Sequence, residues 1–492
     1  MVESPDAPAS ELWKALDLPT EVLSHLHLSP VPDPAVNSSF KLGTAAQTSI
    51  GLSGLSAAHF HQLRTGLKQD VSVDARHAIL SFKSEVYYTI DGELPANTLL
   101  NNLFGLYKTK DNSYVRLHTN FPHHHQGILD ILQCAPTKEA VAAALLQGNA
   151  IEFETTAAAR KMVATALRSF DEWYTQPQGA ALENTPPVQL LKIADAPRRE
   201  LRGNPSRPLD GIRVLDLTRV LAGPVCGRTL AAHGADVLLI TSPNLPALPF
   251  LDADTSRGKR TTQLDLTTVA GRDALAGLAK DADVFLQGYR PGGLAVKGFG
   301  PADVAAARPG VVYASLTAYG WEGPWAERRG FDSLVQTASG FNVAEGEAHA
   351  AFNGSPFAPR PLPMQALDHA AGYLLAFGIN AALCRTITEG GSWEVRVSLA
   401  AVGRWIRSLG QLQPAVAFGE GAPLPPRTIP QDLEIFKASA SLAQKTGDKN
   451  LPERVKAISA IRHAAVLSET PVREEGSPLS LDADLAKWLP QE

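Results

Sequence analysis

Asp368 is the residue whose setting most invites chemistry. It stands directly before an apolar helical run, His369 to Arg385. An aspartate there is in the first place an N-cap, its carboxylate accepting from free backbone N–H groups. The same position offers a nucleophile, because the positive helix end holds a carboxylate ionised and ready to attack a carbonyl carbon. The prolines between Pro356 and Pro363 aim the chain into this helix. Two cationic segments come next. Arg257-Gly258-Lys259-Arg260 groups three cations around a glycine, which suits a phosphate and equally a solvated surface turn. Tyr289-Arg290-Pro291-Gly292-Gly293 offers an aromatic face, a guanidinium and a tight turn. The run His123-His124-His125 is a poor metal site, since consecutive side chains diverge and no acidic or cysteine partner is near.

Several chemistries have no sequence basis. There is no GxGxxG after a strand, no GxxxxGK[ST], no HExxH and no GxSxG. Basic residues are spread out and the formal net charge is −5, so no stripe exists for nucleic acid. Apolar runs such as Gly372–Ala382 are too short to cross a bilayer. No basic segment followed by an apolar core stands near Met1, and the end Leu-Pro-Gln-Glu is not a peroxisomal address. Cys134, Cys226 and Cys384 lie far apart, which points to a reducing compartment and a cytoplasmic location.

The elements that must position these residues divide the chain. Residues 1–36 are rich in Pro, Ser and Asp and are expected as a loose leader; residues 176–208, with six prolines between Gln176 and Pro208, are expected as a linker. Between them, Ala45–Arg64 is helical, Asp70–Ser81 opens on an alternating Val71/Val73, Tyr107–His118 is a hairpin turning at Lys110-Asp111-Asn112, and Thr137–Trp173 is mostly helical. After Pro208 strands and helices alternate: Ile212–Leu217, Pro224–His233, Ala235–Thr241, Thr262–Leu266, Gly271–Lys280, Asp283–Tyr289, a helix after Pro301, and Val311–Thr317. That alternation predicts a parallel sheet with crossover helices, and ligands at the carboxyl ends of its strands. A faint repeat is also present: Gly51–Arg64 followed by Asp70-Val71-Ser72-Val73 echoes Gly372–Arg385 followed by Glu394-Val395-Arg396-Val397.

Ordered blocks extend over residues 209–385. LDGIRVLDLTRVLAGP, HGADVLLI, GKRTTQLDL, DADVFLQGYRPGGL, RPGVVYASLTAYGWEGP, RGFDSLVQTASG and LPMQALDHAAGYLLAFGINAALCR follow one another. In sequence and spacing they resemble the family III CoA-transferases, the CaiB/BaiF family. The resemblance implies an α/β fold, with a Rossmann-like parallel-sheet large domain that binds CoA, a smaller α+β domain, and homodimers. It implies a CoA-transferase moving CoA from an acyl-CoA thioester to a carboxylic acid acceptor, with coenzyme A as substrate and product rather than a permanently bound cofactor. It places Asp368 at the family's catalytic aspartate. CoA contacts are implied at Val220 and Leu221, at Leu264, Asp265, Leu266 and Thr267, at Gly288, Tyr289 and Arg290, and at Arg329, Gly330, Phe331 and Asp332. Two other functions share the fold, an acyl-CoA racemase or isomerase and a non-catalytic CoA-binding relative.

Departures from the family's pattern matter. Racemases of the family carry a proton-transferring histidine where this chain has Phe331, and a phenyl ring transfers no proton. Phe331 and Trp325 would instead wall an apolar acyl site. The second strand is followed by Thr241-Ser242-Pro243 instead of Glu-x-Pro and an arginine. Residues 37–175 resemble a partial family copy that includes the small domain, placed ahead of the Rossmann-like half at 209–410, with 411–492 as a C-terminal tail packing back on the large domain. In the repeat, Gln47 falls at the position of Asp368. A tandem duplication in which both copies build one site follows as an expectation.

Overall fold

The computed structural model describes residues 6–96, 103–200, 205–449 and 452–490. Residues 201–204 of the expected linker, and the extreme ends read for addresses, lie outside the described residues. Four helices carry the architecture: α1 (Leu42–Thr65), α2 (Ala222–Ala232), α3 (Asp332–Ala338) and α4 (Ala366–Thr388).

The main sheet has seven strands. In chain order they are β1 (Gln189–Ala194), β2 (Arg213–Leu217), β3 (Asp236–Thr241), β4 (Arg260–Gln263), β5 (Val284–Gln287), β6 (Val312–Thr317) and β7 (Ser392–Ser398). Their spatial order is β4-β3-β2-β5-β6-β7-β1, parallel except for β1, which runs antiparallel to β7. Strands such as VLDL of β2 and VFLQ of β5 are buried along their length because helices cover both faces of the sheet. The chain winds outward from β2 to β3 and β4, then returns to β5 on the other side. The crevice between the carboxyl ends of β2 and β5 is therefore the topological switch point, where such sheets take ligands.

Three smaller sheets complete the fold. In one, Leu26–Leu28 lies parallel to Val71–Val73, and Ala465–Leu467 runs antiparallel to Val71–Val73. This repeats in miniature the arrangement of β6, β7 and β1. The outer strands are exchanged: β1, from the first half of the chain, closes the large sheet, and Ala465–Leu467, from the last part, closes the small one. Ser439–Ala443 and Ala457–Ile461 pair with Thr89–Ile90, again joining tail to N-terminal half. The remaining sheet is the expected hairpin, Gly105–Lys108 with Tyr114–Leu117, extended by Ala164–Ala166.

Helices α1 and α4 are buried on nearly every side and pack against each other at the centre. Asn380 of α4 donates through Nδ2 to the Ser53 carbonyl and to Ser56 Oγ, both at 3.2 Å. Helix α4 is long and apolar enough to cross a membrane, but 89% of that stretch is buried inside the protein, as in the core helix of a folded domain.

Two expected segments differ from the structure. The leader is packed, not loose: helix Ala7–Ala15 buries Trp13, which stacks on Phe377 of α4 at 5.9 Å. The linker contains β1, because Val188 to Ala194 supply enough apolar surface to cover β7. The tail is anchored on the large domain as well, with Asp484 accepting from the Thr261 N–H and Trp488 donating to the Leu278 carbonyl.

Two outcomes test this interlock. Residues 1–200 and 205–492, expressed separately, should each be insoluble, and co-expressed they should purify as a 1:1 complex. Gly372 of α4 faces α2, where an added Cβ would lie 2.6 Å from the Ala222 carbonyl oxygen. Alanine gains about 1 kcal/mol in helix propensity, but forcing two backbones apart costs more. Gly372→Ala should therefore lower unfolding stability by about 1–2 kcal/mol in denaturant titration.

Candidate active site at the carboxyl ends of the sheet

The turn after β2 begins the site. Val220, β-branched, is held at φ 75, a strained conformation that accumulates where a backbone is shaped for a ligand. It and Thr218, Arg219, Thr241, Pro246 and Asp252 line a shallow cleft beyond the ends of β2 and β3. Leu221 is buried under it. Gly288, after β5, bonds through its N–H to the Leu217 carbonyl at 3.4 Å and lies against Thr218, so the turns after β2 and β5 touch. Tyr289 N–H is fixed by Gln287 Oε1 at 2.8 Å. Leu264 to Thr267 sit at the end of the edge strand β4, where Asp265 accepts from Thr267 N–H and Oγ1. In the sheet β4 stands three positions from β5, and Leu264, Leu266 and Tyr289 pack against one hydrophobic cluster beneath the strand ends.

Arg329 joins the two sides. Its Nη1 lies 2.8 Å from His124 Nε2, and burial followed by the nearby Arg290 lowers its pKa, so two guanidiniums share this mouth. Arg219 stands over the ring of Phe121 at 5.5 Å. These cations, half-buried or exposed, suit an anionic ligand such as a phosphate.

Gly330, Phe331 and Asp332 lead from Arg329 into α3, with Phe331 at its N-cap. Asp332 is buried at 1% exposure, and its Oδ2 accepts from the Asp368 N–H at 2.9 Å. Its other oxygen accepts from Gln336 Nε2, which also bonds to the Met364 carbonyl. Asp332 therefore caps α4 from outside. Asp368 is the third residue of α4, not its N-cap, a correction of the sequence reading. Its half-buried side chain is left free of capping duty.

The ionisation of Asp368 is also corrected. Burial, then the carboxyl groups of Asp332 and Glu85, push its pKa well above the usual carboxylate range. A helix terminus contributes only about 0.3–1 kcal/mol, too little to offset burial beside two carboxylates. Burial likewise pushes Asp332 up to about 7 against the bonds it accepts. The two aspartates titrate as a pair. Glu85 comes from the N-terminal half and accepts from His369 Nε2 at 3.0 Å, with Phe82 stacked on that imidazole.

The hairpin of the N-terminal half closes the other side. The His118 ring stacks on Phe331 with centroids 3.9 Å apart, and its Nδ1 is 3.4 Å from Ser333 Oγ. Burial and Arg116 push His118 down to about 3, so it is neutral and a weak base. Phe121 and His124 also contact Phe331. Trp325, expected beside Phe331, instead packs on Trp173 and lies beneath Arg328. Glu85, Arg116, His118 and Phe121 were not singled out from the sequence; the hairpin pattern and the histidine run were the signals nearest to them.

The segment Arg257–Arg260 is neither phosphate loop nor surface turn. Lys259 is fully buried, 2.7 Å from Asp216, and Gly227 leaves the space through which it reaches. Arg257 pairs with Asp254, and Arg260 with Asp236. These cations are used up inside the fold.

Residues 209–424 match the model of CoA-transferase family III. This part of the chain, which holds the sheet, Asp332 and Asp368, belongs to that family. A probable fatty acyl-CoA transferase of Mycobacterium tuberculosis is 36% identical over 41% of this chain and 53% of its own length. A succinate–glutarate CoA-transferase of Agrobacterium fabrum is 32% identical over 40% of this chain and 52% of its own. An acyl-CoA transferase of Gibberella moniliformis is 29% identical over 72% of this chain and 68% of its own. The chain thus spans about half the length of the first two relatives and two thirds of the third.

The aspartate pair makes a pH prediction. Asp332 is raised in the fold, so the folded protein binds more protons than the unfolded chain between about pH 4 and about pH 7, and stability falls as pH rises through that window. Asp332→Asn removes this loss but also one acceptor. Relative to wild type, its stability should therefore be better at pH 8 than at pH 5, by on the order of 2 kcal/mol in urea titrations. An equal difference at both pH values would contradict the raised carboxyl.

Proposed function

We propose that the chain is an enzyme that moves CoA from an acyl-CoA thioester to a carboxylic acid, with Asp368 as the nucleophile. The observation that carries this reading is the disposition of Asp368. It is relieved of helix capping by Asp332, whose helix begins three residues after Arg329. Names of relatives such as succinate–glutarate CoA-transferase support the same reaction class.

The chemistry proceeds by exchange at one carboxylate. Ionised Asp368 attacks the thioester carbonyl; the C–S bond breaks, giving a mixed anhydride and CoA thiolate. The thiolate attacks the aspartyl carbonyl of the anhydride, releasing the donor acid and leaving an aspartyl-CoA thioester. The acceptor carboxylate attacks that thioester and expels the thiolate, which then takes the acceptor acyl group and frees Asp368. Each step trades one acyl bond for another, which divides a hard exchange into easier ones. The cleft, the turns at Val220 and Gly288, and the arginines hold CoA as substrate and product. The free thiols of Cys134, Cys226 and Cys384 fit the cytoplasm. A racemase reading has less support: the imidazole beside Phe331 is a weak base at about 3.

The test is trapping. Wild-type protein incubated with acyl-CoA and hydroxylamine should yield a hydroxamate on the Asp368 peptide by mass spectrometry. Asp368→Asn should yield none and lose CoA transfer by at least about 10³-fold. Transfer without any adduct would rule out the covalent route. The acid limb of the rate–pH profile should move to lower pH in Glu85→Gln, since one neighbouring negative charge is removed from Asp368.

A further inference from the structure

A second pocket lies where the N-terminal half, the large domain and the tail meet. Ser81 lines it from the first, Arg228, Arg257 and Tyr373 from the second, and His463 and Arg473 from the third. It shares no residue with the cleft beside Val220 or with the group around Asp368. Arg228 and Arg257 are each 7% exposed, yet they share one buried carboxylate, Asp254. At Arg228 burial is outweighed by Asp254 and Tyr373, and its pKa is raised. At Arg257 burial prevails over Asp254, and its pKa is lowered. Glu474 offers Arg257 little: its Oε2 stands 3.9 Å from Nη1, and its Oε1 already accepts from the His463 N–H at 2.8 Å. A buried cation answered only in part is costly, and an anion beside it relieves that cost.

Polar atoms around the pocket are also left over. Ser81 Oγ, His463 Nε2 and Arg473 Nε are buried and have no hydrogen-bond partner among the described residues. Ser81 is only 2% exposed. Arg473 Nε lies 3.2 Å from Glu475 Oε1 but off hydrogen-bond geometry, and Glu475 accepts instead from Lys445 Nζ at 2.8 Å. Buried polar groups are nearly always satisfied, so three around one opening mark a place that an occupant completes. Burial pushes His463 down to about 4, so its imidazole is neutral and adds no charge. Charge decides what the occupant is. Arg228, Arg257, Arg462 and Arg473 line the pocket, with Lys445 behind Glu475, against Asp254, Glu474 and Glu475. Water would satisfy the neutral atoms and leave that positive excess unanswered. Planar guanidiniums take the oxygens of a tetrahedral anion two at a time, and a hydroxyl adds a third direction.

We propose that this pocket binds a small free oxyanion of the phosphate class, held by Arg228, Arg257 and Arg473 with Ser81 as a hydroxyl donor, apart from the site that handles CoA. The occupant would join three parts of the chain, so binding should also stabilise the fold. The role of Asp368 does not enter: Ser84 of the pocket precedes Glu85, and Tyr373 stands four residues beyond His369, but none of the residues that hold the ion is a candidate for the chemistry.

Calorimetric titration of the full chain with inorganic phosphate, in a chloride-free buffer, is the test. Phosphate should bind at one site and raise the melting temperature as its concentration rises. Arg473→Gln should weaken that binding about 10- to 100-fold and Ser81→Ala about 10-fold, as loss of a hydrogen bond to a charged group requires. Arg329→Gln, at the mouth of the active site, should leave phosphate affinity unchanged. No binding at millimolar phosphate overturns the proposal, and so does binding lost in Arg329→Gln but kept in Arg473→Gln, which would put the ion at the mouth. Should Arg473→Gln fail to fold, Ser81→Ala decides: it removes a hydroxyl with no partner in the protein, and wild-type phosphate affinity in that variant sinks the site. Adenosine monophosphate distinguishes a free ion from a phosphoryl group on a larger molecule. It should bind no better than phosphate; tighter binding that Ser81→Ala weakens would overturn the assignment to a free ion.

Discussion

A helix made of small and uncharged residues that is buried on nearly every face cannot rest on one side of a sheet; it needs protein all round it. Helices α1 and α4 are both of this kind, and each supplies part of the other's cover. Their contact fixes the N-terminal half against the sheet. Strand β1 then reaches the edge of β7, and Ala465–Leu467 the edge of Val71–Val73. Neither half has a finished core alone. The position of the site follows, because α4 carries Asp368 at the end nearest the carboxyl ends of the strands, while the N-terminal half brings Glu85 and the hairpin to face it.

The interior carries an unusual load of charge for so apolar a core. Asp216 with Lys259, and Asp254 with Arg228 and Arg257, are buried ion pairs. Such pairs add little net stability, since desolvation offsets attraction, but removing one partner leaves a costly bare charge. They therefore fix which arrangement of sheet and helices is allowed. The site uses the opposite device, carboxyls crowded together with no ion pair to Asp332 or Asp368 among the described residues, which leaves these two poised to change charge.

Much of the sheet was legible in the sequence because β2, β3, β5 and β6 are short, mostly apolar runs punctuated by helices, and the hairpin turned where Lys110-Asp111-Asn112 said it would; the polar edge strand β4 lies at Arg260–Gln263, two residues before its expected start. The residues around Asp368 were legible as ordered blocks. What was not legible was pairing at a distance. The Arg257–Arg260 segment reads locally as free cations, and only the fold brings Asp216, Asp254 and Asp236 to them. Asp368 reads as a cap, but the capping oxygen belongs to Asp332, 36 residues earlier. His118 and Ser333 are 215 residues apart, and no local pattern announces that they meet. The loose leader failed for a related reason: its polar composition hid Trp13, whose partner is on α4.

Gln47 stands in α1 where Asp368 stands in α4. Its Oε1 accepts from the Ser29 N–H at 3.0 Å, and its amide nitrogen lies 3.4 Å from the Ser29 carbonyl. The side chain stitches helix to strand end, a task that needs a donor and an acceptor at once, which a carboxylate cannot provide. In an assembly of two identical subunits every position is written twice, so a change that tightens one place must be tolerated at its twin. Here the two related positions carry different residues: Gln47 is fully buried and bonded on both sides of its amide, whereas Asp368 is half-buried and makes no such bonds, so neither side chain has to serve both tasks.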